Sequence, residues 1–125
     1  MTKRELINLC LTQPLVYEDY PFDEVAAVMR HSGNKKMFAL IAHNKEDRLY
    51  INLKCDPLEA DFLRKAFADV QPGWHMNKTH WNTVFIGGDI PFDELQRMIQ
   101  HSYDLIKPKV KKRRNNGTAK SNKLE

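Results

Sequence analysis

The segment from Arg48 to Lys54 alternates between two kinds of side chain along its whole length. Its apolar positions are Leu49, Ile51 and Leu53, and its polar or amphipathic positions are Arg48, Tyr50, Asn52 and Lys54. A period of two is that of a β-strand, because successive side chains point to opposite faces. One face of this strand should therefore be buried and the other should face water, which is typical of an antiparallel sheet.

Other strands are predicted on either side of this one. Glu24 to His31 and Lys36 to Ala42 are rich in apolar residues, and the turn-forming residues Ser32 to Lys35 between them predict a hairpin. Trp74 to Ile86 is also strand-like, whereas Pro14 to Pro21 shows no period and is interpreted as a connection.

Three helices are predicted. Thr2 and Glu5 form a capping-box pattern ahead of the first, which extends as far as Pro14. Asp56 and Pro57 suit the start of the second, which should bury Leu58, Phe62, Leu63 and Phe67. Pro91 opens the third.

The resulting order is one helix, three strands, a helix, two strands and a helix. Connections this short do not suit a doubly wound parallel sheet. The chain is therefore predicted to be a two-layer α+β domain over residues 1–107, with an antiparallel sheet and helices on one face.

Charge is distributed unevenly along the 125 residues. Eight of the 20 lysines and arginines, but only one of the 16 acidic residues, lie in 107–125, so residues 1–106 hold 12 basic and 15 acidic groups. Residues 108–125 contain almost nothing apolar and are predicted to be a disordered basic tail. The tail could contact nucleic-acid backbones nonspecifically through Lys109, Lys111, Lys112, Arg113 and Arg114. A solvated tail that aids solubility is the alternative.

Two cysteines, Cys10 and Cys55, do not make a disulfide framework, and both are expected to be reduced. No stretch approaches the roughly 20 apolar residues that cross a bilayer. We therefore expect a cytoplasmic protein that is not associated with a membrane.

The stretch Pro72-Gly73-Trp74-His75-Met76-Asn77-Lys78-Thr79-His80-Trp81-Asn82-Thr83-Val84 resembles the signature of the MmcQ/YjbR family. Met37 to Leu40, Asn52 to Pro57 and Ser102-Tyr103 agree with the same resemblance. It covers roughly residues 2 to 107 and implies a fold close to secretion chaperones and frataxin-like domains. Some members of the family look like DNA-binding proteins with a double-wing arrangement, and the resemblance implies no catalytic residues or cofactor.

Polar and aromatic residues are densest in this signature and on the polar side of the Arg48 to Lys54 strand. Lysine and arginine neutralise phosphates, asparagine hydrogen-bonds bases or phosphates, and aromatic rings stack on unpaired bases. The candidate nucleic-acid-binding residues are Arg48, Tyr50, Asn52, Lys54, His75, Asn77, Lys78, His80, Trp81 and Asn82. Alternatively, Trp74 and Trp81 pack against the domain while the Asn and His side chains cap turns.

Metal binding and catalysis are not predicted. His75 and His80 would point to opposite faces of a regular strand, and no further His or Cys stands near them. Cys55 at a helix N-terminus could have a lowered pKa, although such a residue is more often a small buried hydrophobe.

The leading hypothesis is thus a DNA-binding or regulatory accessory protein, without cofactor or enzymatic activity, that uses the open sheet face and the 74–82 segment. A protein-interaction module using the same face is the alternative from another class. A small-ligand enzyme would need Lys54, His75, Lys78 and His80 in one pocket. We expect a monomer.

Overall fold

The computed structural model describes residues 1–109, which form three helices and one six-stranded sheet. The helices are α1 (Lys3–Leu11), α2 (Pro57–Ala66) and α3 (Phe92–Ile106). The strands are β1 (Val16–Asp19), β2 (Ala27–His31), β3 (Met37–His43), β4 (Leu49–Lys54), β5 (Val70–Pro72) and β6 (Trp81–Phe85).

All neighbouring strands are antiparallel, in the order β1-β2-β3-β4-β6-β5. The predicted α+β class and antiparallel sheet are confirmed, but the predicted order lacked one strand. The interpretation of Pro14 to Pro21 as a connection was wrong, because Val16–Asp19 pairs with the end of β2. The two strands predicted between the second and third helices are present as β5 and β6, but the strand-like segment predicted from Trp74 to Ile86 was too long, since β6 begins only at Trp81.

Local sequence explains where the helices begin. The Thr2 hydroxyl accepts from the Glu5 amide and the Glu5 carboxylate accepts from the Thr2 amide, which completes the capping box of α1. Asp56 caps α2 with Pro57 in its first turn, as predicted.

The hydrophobic core lies on the sheet face that carries the side chains of Leu49, Ile51 and Leu53. All three helices contribute to the same core cluster, which includes Leu6, Leu63 and Ile99. We call the sheet surface on the other side the outer face. The prediction that Leu58 and Phe62 are buried was wrong, because they are 84% and 64% exposed on the solvent side of α2.

A buried hydroxyl from α3 joins two strands. Phe38 has no partner on β2 because the register shifts there by one residue. Ser102, which is fully buried, donates to the Phe38 carbonyl at 2.6 Å and accepts from the Lys54 amide at 2.8 Å. This bridge satisfies the backbone groups of β3 and β4 at the point where their pairing ends.

Candidate nucleic-acid interface

The centre of the outer face is closed to solvent. Tyr50 is 7% exposed and Asn52 is 1% exposed, so the prediction that both face water was wrong. The reason is the segment of residues 73–80 between β5 and β6, which turns back over the sheet. We call it the 73–80 loop.

Asn82 was also misplaced by the prediction. It pairs with Leu53 across β4 and β6, and therefore points toward the helices rather than the outer face. Its amide oxygen accepts from Arg64 Nε of α2 at 2.7 Å, and the residue is 2% exposed. The same guanidinium donates to the carbonyls of Lys78 and Trp81, so Arg64 anchors the 73–80 loop from the helix side.

From the outer side, two buried polar residues hold the main chain of Trp74. The Trp74 amide donates to the Thr83 hydroxyl at 2.7 Å, and its carbonyl accepts from Asn52 Nδ2 at 3.1 Å. Thr83 in turn donates to Asn52 Oδ1, which completes a network of three residues. Because Asn52 and Thr83 are each only 1% exposed, this network fixes Trp74 on a rigid part of the sheet.

Gly73 is required for this close approach. A Cβ added there would lie 2.7 Å from Trp81 Cβ and 2.9 Å from the Trp81 carbonyl oxygen. His75 has a left-handed backbone, with φ of 60°, which turns the chain immediately after Trp74. The imidazole of His75 stacks on the Trp74 indole with ring centroids 5.0 Å apart.

Trp74 as a whole residue remains 38% exposed and borders a cavity of about 190 Å³. The cavity lies between the indole, the strands β5 and β6 and the turn that joins β3 to β4. Its lining residues are Asn44, Glu46, Gln71, Pro72, Trp74, Thr83 and Phe85. We call it the Trp74 cavity. The Tyr50 ring packs edge-on against the Trp74 indole, with ring centroids 5.7 Å apart. Burial raises the pKa of the Tyr50 phenol.

Four lysines lie at one end of the sheet, where β2, β4 and β5 end and β3 and β6 begin. They come from the β2–β3 turn, the last position of β4 and the 73–80 loop: Lys35, Lys36, Lys54 and Lys78. We call this group the basic rim. None of the four forms an ion pair with any residue in the range 1–109, and Lys78 Nζ instead donates to the Gly73 carbonyl.

The C-terminal part of the described chain joins the same end. Asn34 in the β2–β3 turn donates to the Ile106 carbonyl at 2.7 Å, which holds the end of α3 beside the basic rim. Lys107 and Lys109 are exposed there, and Lys107 pairs with Asp104. Of the predicted tail contacts, Lys111, Lys112, Arg113 and Arg114 lie outside the described residues, as does the predicted disorder from residue 110 on.

Carboxylates collect at the opposite end of the sheet. They lie in the loops that join β1 to β2, β3 to β4, α2 to β5 and β6 to α3: Asp23, Glu24, Glu46, Asp47, Asp69 and Asp89. Hydrogen bonds from the amides of Ala26 and Val25 lower the pKa of Asp23, so this carboxylate stays ionised. The sheet therefore has one basic and one acidic end.

The other predicted site residues divide between these two ends. Arg48 lies at the acidic end, where it pairs with Asp69 at 2.9 Å and covers the Phe85 ring. Asn77, His80 and Trp81 lie at the basic end, and Trp81 is opposite Lys54. Asn77 caps a turn by accepting from the Thr79 amide, as in the alternative interpretation.

Cys55 behaves as the small buried hydrophobe of the two alternatives. Burial and the nearby Glu59 carboxylate raise the pKa of its thiol to about 11, which opposes any activation by the start of α2. Burial raises the pKa of Cys10 to about 12. Both thiols are free.

Three features of the site were missed from the sequence. Lys35 was treated only as a turn residue and Lys36 only as the start of a strand, although two adjacent lysines in a hairpin are a visible signal of local charge. Glu46 and Gln71 join the Trp74 cavity through long-range folding, for which the sequence offers no local sign. Thr83 stood inside the quoted signature, but its buried position depended on knowing that β6 begins at Trp81.

The fold and this site define a small α+β domain with one antiparallel sheet, a tryptophan fixed on its outer face and a basic rim at one end. The YjbR family model matches residues 11–105, and the chain belongs to this family. No helix within residues 1–109 has the length and apolar character to cross a membrane.

Relatives and solved structures agree with the family. The chain is 31% identical over 103 residues to YjbR of Escherichia coli K12, covering 82% of this chain and 85% of that protein. It is 33% identical over 100 residues to YyaQ of Bacillus subtilis, covering 71% and 84% respectively. Both relatives are uncharacterised proteins, so family membership does not supply a function.

Two crystal structures share the fold. The Deinococcus radiodurans protein DR2400, with a DUF419 domain, has a TM-score of 0.75 at 32% identity, covering 84% of this chain and 78% of that one. A Pseudomonas syringae protein has a TM-score of 0.76 at 29% identity, covering 86% of this chain and all of that one.

Proposed function

We propose that this protein binds DNA through the basic rim, as an accessory or regulatory protein rather than as an enzyme. The observation that carries the proposal is the separation of charge along the sheet. Lys35, Lys36 and Lys54 have no ion-pair partner within residues 1–109, whereas the six loop carboxylates named above lie at the far end. Unpaired lysines on a shared edge are the groups that neutralise phosphates.

The spacing of these lysines suits a continuous backbone contact. The β3–β4 register places Lys54 of β4 across from Phe38 of β3. Lys36 precedes Phe38 by two residues. At about 3.3 Å per residue and about 4.8 Å between strands, the backbones of Lys36 and Lys54 are roughly 8 Å apart. Long lysine side chains on such a scaffold can reach adjacent phosphates of one strand.

The residues after α3 add positive charge at the same end of the sheet. Lys107 and Lys109 follow α3 beside the β2–β3 turn and add two exposed lysines to this end of the sheet. A two-layer scaffold of the secretion-chaperone or frataxin-like type would present this edge without covering it. A cytoplasmic location, where nucleic acid is accessible, belongs to the same proposal.

Binding is favoured over catalysis by the separation of the groups that an enzyme would need together. Lys54 borders a narrow crevice beside Cys55, Arg97 and His101. The residues that line the Trp74 cavity are different, and they include neither His75, Lys78 nor His80.

The test is a titration with duplex and single-stranded DNA at about 50 and 200 mM salt. The Lys54→Ala/Lys78→Ala variant should bind more weakly and reduce the salt slope by roughly 2, or about one per lysine. The matched control is Lys45→Ala/Lys65→Ala, which removes the same charge from exposed positions away from the basic rim. Equal losses in both variants would contradict a localised site.

A chain that ends at Lys109 separates the rim from the tail. If binding survives this truncation and is lost in the rim variant, the domain carries the site. If truncation alone abolishes binding, the tail is responsible and the proposal for the domain is wrong.

A protein-interaction module is the second candidate, and one observation favours it. Leu58 and Phe62 are largely exposed and lie four residues apart on α2, so they form an apolar strip on one helix face. Replacing both with glutamine should leave DNA binding unchanged. If the wild-type protein self-associates in light scattering and the double variant does not, the protein-interaction role is supported and the expectation of a monomer is wrong.

A further inference from the structure

We propose that the DNA strand is single-stranded at the site, with one unpaired base stacked on Trp74 inside the Trp74 cavity. This inference rests on the proposed DNA binding and specifies its ligand. The phosphates next to the inserted base would lie toward Lys78, whose ammonium group is held at the Gly73 carbonyl directly before Trp74.

The first argument is that Trp74 is exposed and yet immobilised. Here both the amide and the carbonyl of Trp74 are bound by buried side chains, those of Thr83 and Asn52. Fixing an aromatic ring before the ligand arrives removes the entropy that its ordering would cost on binding.

The second argument is the shape of the site. At ~30 Å³ of liquid volume per water, about 190 Å³ accommodates about six water molecules. This is smaller than the roughly 300 Å³ or more of most drug-sized sites, so the cavity suits one flat ring system. The Trp74 indole supplies the aromatic wall for stacking, since Arg48 covers the Phe85 ring, and every base has a π-face that can stack on an indole.

The third argument is the polar lining. Glu46 can accept hydrogen bonds from the exocyclic amino group of a base, and the Gln71 amide can both donate and accept. A phosphate would be repelled by Glu46, so the backbone of the strand should stay at the lysine side of the cavity. Glu46 and the lysines therefore orient the nucleotide with its base in the cavity and its phosphates toward the basic rim.

A paired base within a duplex cannot reach this cavity without leaving its stack. The basic rim can contact the backbone of either form, whereas the Trp74 cavity accepts only an unpaired base. Single-stranded DNA should accordingly bind more tightly than a duplex of the same length.

The experiment compares an oligodeoxycytidine with a duplex, using the full chain and Trp74→Ala. Loss of one base–aromatic stack should weaken single-strand binding roughly 5- to 100-fold and leave duplex binding nearly unchanged. Trp74→Phe, which retains a flat ring, should lose much less. In a Trp81→Phe background, the fluorescence of Trp74 should be quenched by the oligodeoxycytidine and not by the duplex.

The outcomes separate the two proposals. If wild-type protein binds both forms equally and Trp74 fluorescence is unchanged, stacking is refuted while binding through the basic rim stands. If neither form binds, the proposed function itself fails. Should Trp74→Ala not fold, both forms will be lost together, and the quenching experiment on the Trp81→Phe protein then decides.

Discussion

Replacing Thr83 with valine should lower the free energy of unfolding by about 2–4 kcal/mol. The substitution keeps the side chain's shape and β-branch but removes the hydroxyl that links Trp74 to Asn52. Asn52 Oδ1 would lose its donor at a residue that is 1% exposed, which costs roughly 1–3 kcal/mol for an unsatisfied buried group. The Trp74 amide would lose a further bond with a net contribution of roughly 0.5–1.5 kcal/mol.

The assay is urea denaturation followed by far-UV circular dichroism, with Thr79→Val as the matched control. Thr79 lies in the same 73–80 loop but is exposed, so its substitution should change the stability by no more than about 0.5 kcal/mol. A Thr83→Val protein as stable as Thr79→Val would refute the claim that the buried network holds Trp74. The slope of the unfolding curve should not change, because neither substitution alters the surface exposed on unfolding.

Three further outcomes follow from buried and charged groups elsewhere in the domain. Ser102→Ala should lower the unfolding free energy by roughly 2–4 kcal/mol in the same assay, since it leaves a carbonyl and an amide of the β3–β4 bridge unsatisfied; the exposed Ser32→Ala should have almost no effect. Because hydrogen bonds lower the pKa of Asp23 in the folded state, its ionised form stabilises the protein above its ordinary pKa of 3.8, and this contribution is lost as the pH falls through the lowered value. The stability advantage of wild type over Asp23→Asn should therefore shrink between about pH 5 and 2, and a pH-independent difference would contradict this. Cys10 and Cys55 should resist iodoacetamide at neutral pH until denaturant is added, as measured by mass spectrometry, because burial raises the pKa of both thiols; rapid labelling of the native protein would show that they are accessible.

Much of the fold could be predicted because its signals are local. The capping box at Thr2, the cap and proline at Asp56-Pro57 and the strand predicted from Arg48 to Lys54 each depend on a few neighbouring residues, and each is found in the structure. β1 was missed because only four residues pair at the edge of the sheet, where half-buried positions produce no clear alternation.

The candidate site was harder to predict because it depends on long-range contacts. Alternation correctly separated the two faces of β4, but it could not show that the 73–80 loop covers the outer one. Asn82 illustrates the difficulty: a shift of one position in the start of β6 reverses the face to which every side chain of that strand points. The separation of acidic from basic loops could not be predicted for a similar reason. The two kinds of loop alternate along the chain, and only the antiparallel topology brings each kind to one end of the sheet.

The most direct test of the basic rim is a map of backbone amide chemical shifts during titration of the full chain with single-stranded DNA. The largest changes should fall at Lys35, Lys36, Lys54 and the 73–80 loop, with little change at Asp89 on the acidic end. Changes confined to residues after Lys109, or centred on the exposed face of α2, would contradict the proposal that this end of the sheet is the binding surface.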